Sequence, residues 1–264
     1  MKQALVLATL AVTSGVAMAG ISATKHNLST GGTGENHLTA GTEEICVFCH
    51  TPHGANTGVT APLWNKQLPS TTYTTYSTAN SSTIDGSVLA VGSVSAACLS
   101  CHDGTQAMDS MINEPGSGLD NGATFTWTGA RQSGGILQGV AALGADLTND
   151  HPIGIQYCGG GIQSDGAATP ASTGSCKDTD FTAPTSDVIN GSLVWWVDTG
   201  TAGRQKTDMI LYTRAFSGTD GPSVECASCH DPHVESKGDA TNPQVAFLRV
   251  SQAGSGVCLS CHTK

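Results

Sequence analysis

Mostly irregular coil with short helices and a few short strands, gathered around a core that side chains alone do not make, is the fold class this chain of 264 residues predicts. Three observations carry it. Only 5% of residues are aromatic and 12% charged while 33 are glycine, a thin supply of large apolar side chains for this length. Cys-x-x-Cys-His occurs four times, with cysteines at 46 and 49, 98 and 101, 226 and 229, and 258 and 261. The four copies fall into two pairs, one near each end, with a long middle between them. That pentapeptide is the attachment site of a c-type haem: the two sulfurs form thioethers with the porphyrin vinyl groups and the adjacent imidazole binds the iron. The fold class is therefore a multihaem cytochrome c wrapped around a stacked haem core, with four covalently bound haem c groups.

The attachment residues are Cys46, Cys49, Cys98, Cys101, Cys226, Cys229, Cys258 and Cys261, and the proximal iron ligands are His50, His102, His230 and His262. Each macrocycle is a large apolar plate that the polypeptide can cover, so without haem the chain is not expected to fold stably. Zinc is the competing reading, since paired Cys-x-x-Cys units also build structural zinc sites. Every copy here is followed at once by His, which zinc ribbons do not require.

From the N-terminus, residues 1–19 have a secretory layout: Lys2, a short apolar stretch over 4–17, and Ala17-Met18-Ala19 as a small-residue cleavage site. The mature chain is expected to begin at Gly20 and to be exported to the cell surface or medium, with the periplasm as the alternative. No later segment is apolar enough to span a bilayer. Residues 20–264 read as one tetrahaem domain: a haem pair over 46–102, a haem-free middle over 103–225, and a second pair over 226–262.

Within that domain, 70–82 is almost all Ser, Thr, Tyr and Asn and reads as a surface loop. Short helices are expected over 95–99 and 256–259, leading into their motifs. Residues 193–197 and 209–212 read as two strands that pair and cover a haem edge. Cys158 and Cys176 remain once the haem sites are assigned. Two leftover cysteines in an oxidising compartment predict a disulfide, worth about 3 kcal/mol by loop-closure entropy.

The distal ligands follow from a count. Nine histidines less four proximal ones leave His26, His37, His53, His151 and His233, enough for bis-His iron at all four sites. After the leader only Met108, Met111 and Met209 remain for thioether ligation. Bis-His iron is six-coordinate, closed to substrates, and lower in potential than Met/His iron. His53 and His233 each stand three residues beyond a proximal histidine. On a helical turn such neighbours project to one side, about 5–6 Å apart, so each is expected to ligate a different haem. His26 and His151 complete the distal set, with His37 as the spare or as a replacement for His26.

The motifs also carry a resemblance. Residues 45–53 (ICVFCHTPH) followed by 61–65 (APLWN), then 98–105 (CLSCHDGT), 149–154 (NDHPIG), 224–233 (VECASCHDPH) and the final 258–262 (CLSCH) resemble secreted multihaem c-type cytochromes of the extracellular cytochrome filament family. The likeness spans both haem pairs and is weak over 114–146 and 159–223. It implies a homopolymer in which haems form a continuous chain and a histidine of one subunit completes a haem of its neighbour. Carried over by position, that bridging ligand is His53. Expected partners are further copies, other multihaem cytochromes, or extracellular electron acceptors.

The net charge of −10 leaves nothing basic to neutralise phosphates and argues against a nucleic-acid partner. The expected function is electron transfer, not enzymatic catalysis. Two alternatives stay open: a monomeric tetrahaem shuttle with all distal ligands in cis, and a multihaem reductase, which needs an iron with an open position.

Overall fold

The structure, a computed structural model, describes residues 20–116, 124–162, 175–200, 202–234 and 247–264. The secretory segment and its cleavage site lie outside these residues. Among the described residues no helix is long and apolar enough to cross a membrane.

The dominant element is an antiparallel sheet of five strands. Two small pairs precede it: β1 (His37–Ala40) with β2 (Thr126–Thr128), and β3 (Gln132–Ser133) with β4 (Ile136–Leu137). The large sheet comprises β5 (Ile155–Gln156), β6 (Thr185–Ile189), β7 (Ser192–Val197), β8 (Met209–Phe216) and β9 (Thr219–Val224), in the order β5-β9-β8-β7-β6. Its hairpins close through Asn190-Gly191 and Ser217-Gly218, all four residues with positive φ. Positive φ at both central residues belongs to the turn whose twist matches the flanking strands, which is why glycine occupies the second place of each. The pairing of 193–197 with 209–212 is as the sequence predicts, with Trp195 opposite Leu211 and Val197 opposite Met209.

This sheet overturns the expected fold class. A mostly irregular coil around a stacked haem core does not describe a chain whose middle is an eight-residue and two six-residue strands in one sheet. The sheet has a side-chain core of its own, in which Tyr157, Trp195, Val197, Met209 and Leu211 bury together with Cys158 and Cys176. Aromatics are scarce over the whole chain, yet Tyr157, Phe181 and Trp195 meet in one core against the sheet, so a few well-placed rings suffice to build it.

Cys158 and Cys176 are joined as a disulfide inside that core. Cys158 belongs to α2 (Tyr157–Gly160), a single distorted turn after β5. A smaller cluster of Val59, Ala61 and Ala97, backed by Trp64 and Leu68, supports the N-terminal pair of motifs.

The motifs sit on short helices. The first begins in a 3-10 turn, Cys46–Phe48; the second ends α1 (Ser93–His102); the third is α3 (Cys226–Cys229); and the fourth ends α4 (Gly256–Cys261). The third follows directly from β9, so the sheet positions it. The loop over 70–82 is less free than its composition suggests: the hydroxyls of Thr71 and Tyr73 both donate to Asp103 Oδ2, each at 2.9 Å, and Leu147 N–H donates to the Thr74 carbonyl.

Candidate functional site

None of the eight motif cysteines is in a disulfide, in contrast to Cys158 and Cys176. Burial pushes the Cys49 and Cys229 thiols up to about 12 and the Cys261 thiol up to about 11. Thiols held protonated in this way are poor metal thiolates and poor redox nucleophiles. Their neighbours order the motifs in space. Cys49 is within electrostatic reach of Cys101, the Cys226 N–H donates to the Ser95 hydroxyl of α1 at 3.0 Å, and Cys229 is within electrostatic reach of Cys258 and Cys261. The first motif therefore neighbours the second, the second the third, and the third the fourth.

The histidines give the strongest geometry. The rings of His50 and His233 have centroids 6.1 Å apart and planes 15° from parallel. The rings of His26 and His102 are also 6.1 Å apart, at 68°. Each pair sets the histidine of a Cys-x-x-Cys-His motif beside a histidine from another motif or from the N-terminal arm, and such pairs would hold an iron between two imidazoles.

The far nitrogen of each ring shows whether these residues suit a haem iron. His50 Nδ1 bonds the Pro62 carbonyl at 2.7 Å, His102 Nδ1 the Ala141 carbonyl at 2.8 Å, His26 Nδ1 the Pro232 carbonyl at 3.1 Å and His151 Nδ1 the Pro152 carbonyl at 3.0 Å. A carbonyl only accepts, so Nδ1 carries the proton and the Nε2 lone pair is left for a metal. Burial, with His102 nearby, lowers His26 to about 4; burial also lowers His102 and His151. All three are neutral at pH 7, the form that ligates. The residues fit the group.

His233 is held differently. Its Nδ1 lies 3.2 Å from Asp231 Oδ1, which raises its basicity, and Arg249 approaches the other oxygen of that carboxylate at 3.6 Å. His26 is fixed by the third motif: besides its bond to Pro232, its ring stacks on Phe247 at 4.1 Å.

The fourth motif meets His151. A cavity of about 310 Å³ is lined by His151 and His262 together with Ile155, Tyr157, Phe181 and Val224. Gly154 (φ 66°) allows this corner to form, because a Cβ there would sit 2.9 Å from the Leu89 carbonyl. His230, expected from the sequence as the third proximal ligand, is exposed and its backbone bridges to Leu248. His37 is tied into β1 with Nδ1 on the Gly34 carbonyl at 2.8 Å, and His53 is exposed.

Contrary to the sequence expectation, His50 and His53, and likewise His230 and His233, do not share a helical turn. α3 stops at Cys229 and His230 is extended (φ −107°, ψ 135°). Pro52 and Pro232 push the residues before them, Thr51 and Asp231, out of the helical region and so interrupt the turn between the two histidines. His233 lies instead against His50 of the first motif.

Sequence reasoning missed Lys66, fully buried beside the first two motifs, and Glu225, buried ahead of the third. Nothing in periodicity or spacing marks either. Among the described residues no group of three or more His, Cys, Asp or Glu is arranged to hold a metal ion. No protein-family model matches the chain, and no curated protein matches it.

Proposed function

We propose that this chain is a tetrahaem c-type cytochrome that carries electrons outside the cell membrane as a subunit of a polymeric filament. The observation that carries the reading is the pair of 6.1 Å histidine couples, His50 with His233 and His26 with His102, each including the histidine of a Cys-x-x-Cys-His motif. Haem, once attached, supplies a one-electron iron couple. The residues of this chain bind it through eight thioethers, present Nε2 of paired imidazoles and fix those rings by bonds from Nδ1.

His262 and His151, across their cavity, make the third couple. His230 takes a fourth haem, for which His37 and His53 remain. His37 is bonded within its strand and His53 is exposed, so His53 is assigned to the haem of a neighbouring copy. The order of motifs in space, first to second to third to fourth, then becomes a through-chain path with a handover at each subunit junction. The resemblance of 45–53 and 224–233 to filament cytochromes supports the same assignment. So does the closed ligand count, which leaves no open iron for a reductase.

The test is electron microscopy of the secreted haem protein beside its His53→Met variant. Filaments in the first that become monomers in the second are the expected result. A wild type that stays monomeric with four bis-His spectra overturns the polymer and leaves the shuttle.

A further inference from the structure

Lys66 is the one lysine with no exposed surface among the described residues. Its ammonium is enclosed by three backbone carbonyls, those of Ala107 at 3.1 Å, Met108 at 3.2 Å and Ser110 at 3.1 Å. An ammonium has three donors, and three carbonyl dipoles satisfy them without neutralising the charge. Among the described residues no carboxylate lies within 4.0 Å of it. Burying an unneutralised cation is expensive, so a residue kept there is unlike an ordinary surface lysine.

Its place is specific. The preceding residue, Asn65, receives its position from the first motif: its N–H donates to the Cys49 carbonyl at 2.8 Å and its side-chain amide to the Val47 carbonyl at 2.7 Å. The carbonyls that enclose Lys66 follow the second motif by a few residues. Cys49, whose carbonyl receives the Asn65 N–H, and Cys101, a few residues ahead of the enclosing carbonyls, would be thioether anchors of two haems in the loaded protein. The buried carboxylate of Asp103, just after the second motif, is engaged by the Thr71, Tyr73 and Thr105 hydroxyls.

We propose that Lys66 is an electrostatic tuning residue, a fixed buried cation between the first two attachment sites that raises the reduction potentials of the haems bound there. The inference rests on the tetrahaem reading above. Adding an electron to an iron centre next to a cation in a low-dielectric interior is favoured, and bulk salt screens that interaction little. The haems of the third and fourth motifs, attached beside the sheet, do not share it. The two ends of each subunit thus differ in electron affinity, with the N-terminal pair the more oxidising.

The experiment is spectroelectrochemical titration of the full-length exported protein, wild type beside Lys66→Gln and Lys66→Arg. Gln keeps amide donors for the carbonyls without the charge; Arg keeps the charge. Covalent haem is counted first by pyridine haemochrome absorbance. A wild type without four haems fails the tetrahaem reading itself. With four haems in all proteins, Lys66→Gln is expected to lower the reduction equilibrium constant of two of the four components about tenfold, ~59 mV for a one-electron couple. Lys66→Arg is expected to stay near wild type, and the Gln shift to persist at high salt. Unchanged midpoints in Lys66→Gln overturn the proposal. Loss of haem from Lys66→Gln also overturns it, identifying Lys66 as a support of the attachment loops.

Discussion

At the scale of single residues, what would tune each iron of the proposed tetrahaem protein is the group on the far side of its imidazole. Five of the histidines place Nδ1 on a backbone carbonyl, a neutral acceptor, whereas His233 places it on the Asp231 carboxylate. A carboxylate partner makes the ring a stronger donor and stabilises the ferric state. Asp231→Asn keeps an acceptor oxygen and removes the charge, so the haem shared by His50 and His233 should rise in potential, with its equilibrium constant shifting about three- to tenfold, read in the same redox titration. His26 has no carboxylate; its orientation comes from stacking on Phe247. Phe247→Ala should loosen that ring and weaken the low-spin bis-His signature of one haem in four by electron paramagnetic resonance. A stacked pair of this kind is worth about 0.5–1.5 kcal/mol beyond its buried area.

At the scale of elements, the second and third motifs are joined by a buried polar clamp. Ser95, in α1, donates to Glu225 Oε2 at 2.5 Å and accepts the Cys226 N–H at 3.0 Å. Glu225 Oε1 meets the Arg214 guanidinium of β8 at 2.9 Å and the Ser223 hydroxyl of β9 at 3.0 Å. The Glu225 side chain is fully buried and Arg214 nearly so. Removing one partner of such a pair leaves an uncompensated charge, which costs about 3–5 kcal/mol. Glu225→Gln should therefore lower stability by about that amount in a denaturant titration of the haem-loaded protein. It should also broaden the optical signature of the haem pair whose anchors are Cys98 and Cys226. The sheet core makes a separate contribution. Trp195 is 5% exposed, and Trp195→Ala should cost about 3–5 kcal/mol through the lost transfer and the cavity left behind.

At the scale of the molecule, the net charge of −10 would govern how copies meet in the proposed polymer. Subunits of like charge repel at low ionic strength, and haem propionates add to the repulsion. Association should therefore strengthen as salt rises from about 0.01 M toward 0.15 M, where the screening length falls from about 30 Å to about 8 Å. Sedimentation velocity over that range measures it, with His53→Met as the control that stays monomeric throughout. Association that weakens with salt would mean that opposite charges, not a shared ligand, hold the copies together.

The proposed attachment chemistry is read from the sequence because it is local: five consecutive residues would supply two thioethers and an iron ligand whatever surrounds them. Cys158 and Cys176 were legible for the same kind of reason, as the remainder after a count. The count of histidines did not say which of them lie together. That is a matter of which distant segments pack together, and the structure lays the N-terminal arm on the third motif, where Pro232 and Phe247 hold His26 against His102. The sheet was half visible. Its central strands announced themselves in 193–197 and 209–212, and the hairpin glycines at 191 and 218 could have extended the reading. The edge strands over 155–156 and 185–189 have no pattern of their own and are strands because their neighbours offer hydrogen bonds. Lys66 and Glu225 lie furthest from sequence reasoning, since a lysine or a glutamate reads as solvated until a tertiary fold supplies the carbonyls or the arginine that let it be buried. Sequence alone thus determined the four local motifs and the cysteine pair left over, and only the tertiary structure decided which histidine faces which and which charges stand inside the protein, because those depend on the packing of distant segments.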